Sequence, residues 1–282
     1  MAEVCITEYT DPGCPWAYSA EPFRRRLAWL YGEQIEWRLR LVGLSESSEE
    51  YEEKGFTPKR FARECKTIAQ EHGMPIDSQV RPRMSATMPA CRAIVAARLH
   101  APDKERTLLR RLRIRYFSGG LLDDRELIDA AATDAGLDPA ALWAWSQEPD
   151  VEAVLREDMA KAREPIAAAR VLDHKLANWS GGVRYTCPSY EITRASEGVK
   201  IAVPGFQPFA VYDVITANLV PGLERRAAPQ GVEEVLDWTG TPLASKEVAV
   251  VCDTSLFDAR ERLARVATEA PVGADGFWTL SH

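Results

Sequence analysis

The chain has 282 residues, of which 46% are hydrophobic and 27% charged, the balance of an ordinary globular protein. Its formal net charge of −7 argues against bulk attraction to nucleic acid or to an anionic membrane surface. The N-terminal residues lack the basic stretch and apolar run of a signal peptide, and no apolar segment is long enough to span a bilayer, so we expect a cytoplasmic protein.

The N-terminal segment predicts a β-α-β unit. Val4–Tyr9 is a predicted strand, and a Pro-Gly loop leads from it to Cys14. Pro15 suits the first position of a helix, because its missing N–H would be unpaired there anyway. Apolar residues at steps of three and four predict one helix as far as Leu30, and alternation over Ile35–Leu41 predicts the second strand. Cys14 therefore lies on the first turn from strand to helix.

A long helical block is predicted from about Thr57 to Ala177. Thr57-Pro58 and Asp138-Pro139 are typical helix starts, and Gly73 is a typical helix end. No strand pattern interrupts this stretch.

The strands are predicted to resume after the helical block. Gly181–Pro188 is predicted as a loop, and Ser189–Thr193 and Val199–Val203 as a hairpin. A helix over Pro208–Leu219 follows. The predicted order is β-α-β, helical insert, β-β-α.

Residues 230–282 are predicted to form a separate, small, mostly helical unit. Helices are expected over 231–238, 244–251 and 255–269, with a short extended end at 277–280. This order is winged-helix-like, but the segment holds nine acids against four bases, whereas a module that binds duplex DNA should be basic. We therefore expect a packing appendage that binds no nucleic acid.

Cys14 is the strongest candidate for a reactive group. A cysteine at a helix start meets unpaired backbone N–H groups and the positive end of the helix dipole. Both favour the thiolate, so we expect an exposed Cys14 with a lowered pKa and high reactivity. In contrast, Cys65, Cys91 and Cys252 are predicted to be inert packing residues. The spacing of Cys and His indicates no metal site.

The segment Asp11–Tyr18, with the sequence Asp-Pro-Gly-Cys-Pro-Trp-Ala-Tyr, resembles the active-site loop of the DsbA superfamily, in particular its cytoplasmic FrnE-like branch. That family usually carries Cys-Pro-Trp-Cys here and inserts a helical domain into a thioredoxin fold. The resemblance implies an α/β, thioredoxin-like domain over residues 1–56 and 178–229. The inserted helical domain would then be 57–177, with the small unit at 230–282.

The resemblance also implies a set of site residues. Cys187-Pro188 falls where the family has a cis-proline that packs beside the active-site turn. Cys14 and Cys187 are therefore the expected catalytic residues. Pro15, Trp16, Thr186 and Pro188 are the expected substrate contacts.

Two departures from the family pattern affect the predicted chemistry. Ala17 replaces the usual second cysteine, so the motif alone cannot resolve its own mixed disulfide. Cys187 stands where the family commonly has a small residue. It is either a resolving thiol that reaches Cys14 across two loops or a small apolar filler; a disulfide requires Cα atoms within about 7 Å.

The segment from Arg81 to Arg115 has ten bases against two acids. In this superfamily the helical insert overhangs the active site, so a basic insert could hold the carboxylates of a small anionic substrate. The alternative is a solvated basic helix face.

Three functions remain open from sequence. The first is a thiol–disulfide oxidoreductase or isomerase that acts through Cys14 on a small thiol or disulfide, or on protein thiols. The second is an enzyme similar to kappa-class glutathione transferases and 2-hydroxychromene-2-carboxylate isomerases, which use a bound small thiol. The third is a non-catalytic adaptor on the same scaffold. No cofactor is expected beyond a low-molecular-weight thiol as cosubstrate, no membrane partner is expected, and the oligomeric state is not predicted.

Overall fold

A four-stranded sheet lies at the centre of the molecule. The computed structural model describes residues 2–281. The strands of the sheet are β1 (Val4–Thr10), β2 (Ile35–Leu41), β5 (Ser189–Arg194) and β6 (Lys200–Val203), in the order β2-β1-β5-β6. β1 runs parallel to β2 and antiparallel to β5, and Ile6 pairs with both Trp37 and Ile192. The predicted β-α-β opening and the later hairpin are confirmed in this one sheet.

The first helical segment is broken, whereas the sequence predicted one helix to Leu30. The structure has α1 (Pro15–Ser19) and α2 (Glu21–Tyr31), separated at Ala20. Pro22 causes the break, because it has no N–H to donate to the preceding turn and its ring clashes there. α11 (Phe209–Leu219) packs on the same side of the sheet as α2, in a core that contains Leu27 and Tyr212.

Helices fill the chain between the second and third strand of the central sheet. They are α3 (Ser48–Glu53), α4 (Pro58–His72), α5 (Met88–His100), α6 (Glu105–Phe117), α7 (Arg125–Asp134), α8 (Pro139–Ser146), α9 (Pro149–Ala162) and α10 (Ala167–Arg170). The predicted caps are confirmed, since Thr57 accepts from the Arg60 N–H and Asp138 accepts from the Ala140 N–H. Gly73 ends α4 with a φ of 77°, a conformation that favours glycine.

A hairpin replaces most of the loop that was predicted for Gly181–Pro188. Its strands are β3 (Leu176–Trp179) and β4 (Gly182–Tyr185), and β3 begins within the predicted helical block. A contact with the central sheet holds the hairpin in place. The fully buried Tyr185 stacks on Tyr9 of β1, with ring centroids 4.3 Å apart. Local sequence does not show this contact.

The C-terminal unit contains more strand than predicted. Its elements are α12 (Val232–Thr239), β7 (Leu243–Ala244), α13 (Ser245–Val251), α14 (Leu256–Val266), β8 (Ala267–Val272) and β9 (Asp275–Leu280). The helix expected to reach residue 269 ends at Val266, and the following residues pair with β9 as β8. Pro271 is compatible with a strand at a sheet edge but not with a helix interior.

A buried ion-pair network joins the three parts of the chain. Arg110 of α6 donates to Glu21 of α2 and to Glu247 of α13. Arg113 also pairs with Glu21, and Arg25 pairs with Glu247. The N-terminal unit, the helical insert and the C-terminal unit therefore share one set of buried charges. Across residues 2–281, no helix has the length and apolar character needed to cross a bilayer.

Candidate functional site

Asp11 shapes the loop that presents Cys14. Its fully buried carboxylate accepts from the Gly13 N–H at 2.8 Å, the Leu44 N–H at 2.9 Å and the Thr87 hydroxyl at 3.1 Å. Gly13 has no room for a side chain, since a Cβ there would lie 2.8 Å from the Thr87 methyl carbon. The loop is thus held by β1, the β2–α3 connection and the start of α5, and Cys14 follows as the N-cap of α1.

The structure brings Cys14 and Cys187 together. The Cys14 Sγ–H donates to the Cys187 carbonyl oxygen at 3.2 Å, and the Cys187–Pro188 peptide bond is cis. Both thiols are free. Ala17 lies in the same buried cluster, in the position that a second cysteine of the motif would take.

The expectation of an exposed Cys14 is wrong, because its exposed fraction is only 7%. Cys187 packs against Cys14 in a buried cluster. Residues of α3, α4 and the β3–β4 hairpin line the same cleft as Cys14. Cys14 is reached through a cleft rather than from the open surface.

The pKa of Cys14 is lowered, as predicted. The largest cause is the Cys187 side chain, whose S–H donates to the Cys14 sulfur once that sulfur is ionised. The backbone N–H groups of Ala17 and Trp16 also lower the pKa. Burial and the charge of Asp11 oppose them. Burial raises the pKa of Cys187 well above its usual value, and Cys14 raises it further. Cys14 is therefore the more readily ionised of the two thiols.

Cys14 lines a cleft of about 730 Å³, a size typical of small-molecule sites. Pro15 and Trp16 line it. Opposite them lie the α3–α4 segment and the β3–β4 hairpin, including Tyr51 and Trp179. The lining mixes aromatic and charged side chains, and the cleft has room for a small substrate whose reacting atom meets Cys14.

The other two predicted contacts, Thr186 and Pro188, adjoin Cys187 in the chain and are not among the described residues that line the cleft. The Thr186 hydroxyl donates to the Lys175 carbonyl oxygen at 3.0 Å, and Pro188 is buried. Their roles as substrate contacts stay predictions. The Trp16 ring, 39% exposed, lies against His72 and Phe206 at centroid distances of 5.0 and 5.6 Å.

The basic segment from Arg81 to Arg115 does not hold a substrate in this cleft. Within residues 2–281, the cleft lining includes none of its ten bases. Many of them pair internally; Arg92, for example, binds Glu152. Arg110 and Arg113 are buried, so they do not form a solvated face either. The acids that neutralise Arg110 and Arg113 are Glu21 and Glu247, which lie outside residues 81–115. A count of charges within that segment therefore leaves them out.

Sequence reasoning missed the basic residues that do line the cleft. Arg163 ends α9 and Arg184 lies in β4, and both face the cleft together with Lys54 and Arg60. No local motif marks them, because each becomes part of the site only through the fold. No group of three His, Cys, Asp or Glu side chains suited to a metal ion occurs among residues 2–281.

Comparison with known proteins agrees with this geometry. The family model of the DSBA-like thioredoxin domain matches residues 5–165. The cytosolic disulfide reductase DsbM from Pseudomonas aeruginosa has a similar structure, with a TM-score of 0.54 and 18% identity, over 77% of this chain and all of that one. A second structure of DsbM, with GSH, gives a TM-score of 0.50 at 18% identity, over 76% of this chain and 95% of that one.

Two further similarities differ in how much of the chain they cover. A probable DsbA oxidoreductase from Streptomyces coelicolor has a TM-score of 0.54 and 19% identity over 77% of this chain and 89% of its own. The ClpXP adapter protein SpxH of Shouchella clausii is 26% identical over 95% of this chain and 84% of its own. The thioredoxin-like fold with a helical insert is confirmed, and the chain belongs to the DSBA-like thioredoxin domain family.

Proposed function

We propose that this protein is a thiol–disulfide oxidoreductase or isomerase that acts through Cys14. One observation carries the proposal. The Cys14 thiol has a lowered pKa, lies at the start of a helix and lines a cleft of about 730 Å³. A thiolate is the nucleophile of disulfide exchange, and a thiolate of low pKa is also a good leaving group. The same sulfur can therefore both enter and leave a mixed disulfide.

The first step forms the mixed disulfide. The Cys14 thiolate attacks one sulfur of a substrate R–S–S–R′, the S–S bond of the substrate breaks, and Cys14–S–S–R forms. The electron pair of that bond leaves on R′–S⁻, which takes a proton from solvent. The hydrogen bond that Cys14 makes with the Cys187 carbonyl in the resting thiol is lost when the thiolate forms.

The second step releases Cys14. Ala17 offers no thiol, so the attacking group is either Cys187 or an external low-molecular-weight thiol R″–SH. Attack by R″–S⁻ on the R sulfur gives R–S–S–R″ and restores the Cys14 thiolate. Attack by Cys187 on the Cys14 sulfur would instead expel R–S⁻ and leave a Cys14–Cys187 disulfide. We favour the external thiol, because the raised pKa of Cys187 keeps it protonated near neutral pH.

We propose the four predicted residues as the substrate contacts. Pro15 and Trp16 flank the sulfur in the cleft, and Thr186 and Pro188 continue the chain on either side of Cys187. Small disulfides and thiols are the substrate class that fits the cleft, and the GSH-bound DsbM structure supports a small thiol as cosubstrate. Protein thiols are the second substrate class we consider, and we place the activity in the cytoplasm.

A trapping experiment tests this proposal. The natural protein and the Cys14→Ser, Cys187→Ser and Cys252→Ser variants are each incubated with glutathione disulfide, and intact masses are followed over time. We expect mixed disulfide on the natural protein and on both other variants, but none on Cys14→Ser. Cys252 is a matched control, because it is a free, half-buried cysteine outside the cleft. Equal labelling of Cys14→Ser would overturn the proposal.

An adapter function is a second candidate, favoured by one observation. The similarity to the ClpXP adapter SpxH extends over 95% of this chain, whereas the redox structures cover 76–77%. A match over 95% of the chain necessarily includes most of the C-terminal unit, residues 230–282. If the protein is an adapter, Cys14→Ser should still accelerate ClpXP proteolysis of a bound client, and the natural protein should show no catalytic turnover of disulfides.

A further inference from the structure

Two guanidinium groups in the Cys14 cleft have no carboxylate partner. Arg163 donates to the Val42 and Met159 carbonyl oxygens, at 3.3 and 2.8 Å. Arg184 donates to the Tyr185 carbonyl oxygen at 2.8 Å. Within residues 2–281, neither side chain forms an ion pair with an acid, although both are partly buried. Two positive charges therefore face the cleft without neutralisation.

The remaining charged groups of the cleft are balanced. Lys54 pairs with Glu50, and Arg60 pairs with Glu64 at 2.8 Å; all four side chains line the cleft. The uncompensated charge thus belongs to Arg163 and Arg184 alone. Burial, followed by the charges of Arg184 and Arg156, lowers the pKa of Arg163, whereas Glu46 and Glu50 oppose this effect. Both guanidinium groups line the same cleft, so an anion bound there would offset positive charge that no carboxylate among the described cleft residues neutralises.

The local structure holds these groups in place before any ligand arrives. The Arg163 guanidinium lies over the Trp179 ring, 5.1 Å from its centroid, and Trp179 belongs to the same hairpin as Arg184. The carbonyl bonds of Arg163 fix the other side of the group. A guanidinium held in this way presents its remaining N–H donors as a fork that matches a carboxylate.

We propose that Arg163 and Arg184 form a carboxylate-binding subsite and that the cleft selects small disulfides whose thiol halves carry carboxylate groups. This proposal rests on the proposed function, because it places the substrate sulfur at Cys14. The carboxylate lies between the two guanidinium groups and the thiol half extends along the cleft to the Cys14 sulfur. The subsite binds the carboxylate and orients the substrate disulfide, and Cys14 carries out the exchange of S–S bonds.

The test compares disulfides of similar size and opposite charge. Dithiodipropionate carries two carboxylates, hydroxyethyl disulfide is neutral, and cystamine carries two ammonium groups. The second-order rate of mixed-disulfide formation at Cys14 is measured for each by intact mass. We expect the natural protein to prefer dithiodipropionate over hydroxyethyl disulfide by about tenfold, which corresponds to one charge-assisted hydrogen bond. Cystamine should react most slowly, and the preference should decrease with added salt.

Three variants locate the subsite. Arg184→Gln should bring the ratio of the dithiodipropionate rate to the hydroxyethyl disulfide rate close to one, and Arg184→Lys should restore part of it. Arg115→Gln is the matched control, since it removes one positive charge from the helical insert at a pair with Asp134, outside the cleft. It should keep the natural ratio. Arg184 is chosen over Arg163 because its one hydrogen bond is to its own neighbour, which makes a folding defect less of a concern.

The possible outcomes distinguish failure of the carboxylate-binding subsite from failure of disulfide exchange at Cys14. Equal rates for all three disulfides, or an unchanged ratio in Arg184→Gln, would overturn the subsite and leave the exchange activity intact. If Cys14 reacts with none of the three, the exchange function fails and the subsite fails with it. A change of ratio in Arg115→Gln as large as in Arg184→Gln would show a general charge effect and would also overturn the subsite.

Discussion

At the scale of single residues, Cys14 differs from the other five cysteines in the direction of its pKa shift. Burial raises the pKa of Cys65 to about 12 and that of Cys252 to about 11, and it also raises the pKa of Cys5, Cys91 and Cys187. Only the pKa of Cys14 is lowered, because its hydrogen-bond partners outweigh its burial. Near neutral pH, the thiolate population should therefore be concentrated at this one position.

We expect limiting iodoacetamide to label Cys14 first in the reduced, folded protein. The rate should rise with pH and reach half its maximum below the usual range for a free cysteine, about pH 8.5, since alkylation follows the thiolate. Peptide mapping of the label at several pH values checks this. Faster labelling of Cys252, which is more exposed than Cys14, would show that access rather than thiolate population controls reactivity.

Ala17→Cys should give a dithiol that oxidises readily. Ala17 lies three residues after Cys14 in α1, and neighbours at this spacing share a helix face. If an external thiol resolves the natural mixed disulfide, the substitution should increase insulin reduction markedly, and Cys187→Ser should have no effect. If Cys187 is the resolving thiol, Cys187→Ser should abolish turnover and Ala17→Cys should change little. Failure of the introduced thiol to form a disulfide with Cys14 under mild oxidation would contradict the shared helix turn.

At this scale, the sequence identified the chemistry but not its surroundings. The turn from strand to helix marked Cys14, and the resemblance to the DsbA loop marked Cys187 and Pro188. Arg163 and Arg184 could not be found in the same way, because they come from a helix end and a hairpin that only the folded chain brings to the cleft. The burial of Cys14 was missed for the same reason.

At the scale of secondary-structure elements, the sequence predicted the helix starts correctly but did not predict the short strands β3 and β4. Caps such as Thr57 and Asp138 act within one turn of the chain, so their effect is visible in sequence. The β3–β4 hairpin has four residues in each strand and a glycine-containing turn, and its stability comes from packing of Tyr185 on Tyr9. Such tertiary contacts override local preference.

Glu247→Gln tests the contact between elements that the buried ion pairs make. The substitution keeps the shape but removes the charge that neutralises Arg25 and part of that on Arg110. Breaking a buried pair from one side leaves an uncompensated charge, so we expect a loss of about 3–5 kcal/mol in the free energy of unfolding. Urea denaturation measures it. Glu261→Gln, which removes an exposed partner of Arg265, is the control and should cause no measurable loss.

Glu21 should make the fold sensitive to acid. Burial would raise its pKa, but Arg110 and Arg113 outweigh burial and lower it from 4.5 to about 2. Because the folded pKa lies below the unfolded one, this stability is present above about pH 4.5 and is lost as the pH falls towards 2. The shift corresponds to about 3 kcal/mol in total.

Urea unfolding from neutral pH to about pH 3 checks this for the natural protein and Glu21→Gln. The variant should be less stable at neutral pH and should lose less stability on acidification, because it lacks the titrating group. Parallel pH profiles for the two proteins would show that Glu21 does not contribute the shift.

At the scale of the whole molecule, the distribution of charge argues against binding to nucleic acid. This holds even for the C-terminal unit, residues 230–282, whose helices and β-hairpin have a winged-helix-like order. The net charge of the chain is −7, and the bases of the C-terminal unit are outnumbered by acids. We expect the full-length protein to leave the fluorescence anisotropy of a labelled random duplex unchanged at low salt. Micromolar binding that weakens steeply with salt would contradict this expectation, since that dependence is the mark of phosphate contacts.

The position of Glu247 in the chain has a consequence for the order of events during synthesis. Arg25 and Arg110 are made 222 and 137 residues before Glu247. Glu247 is the carboxylate partner of Arg25, and it is the second carboxylate partner of Arg110 after Glu21. Until the segment that holds Glu247 has emerged from the ribosome, burial of the Arg25 guanidinium would leave its charge unpaired, and Arg110 has only Glu21 as a partner. The nascent chain should therefore remain partly open until α13 has been made. A chain that stops before α13 should behave as a folding intermediate rather than as a smaller version of the protein.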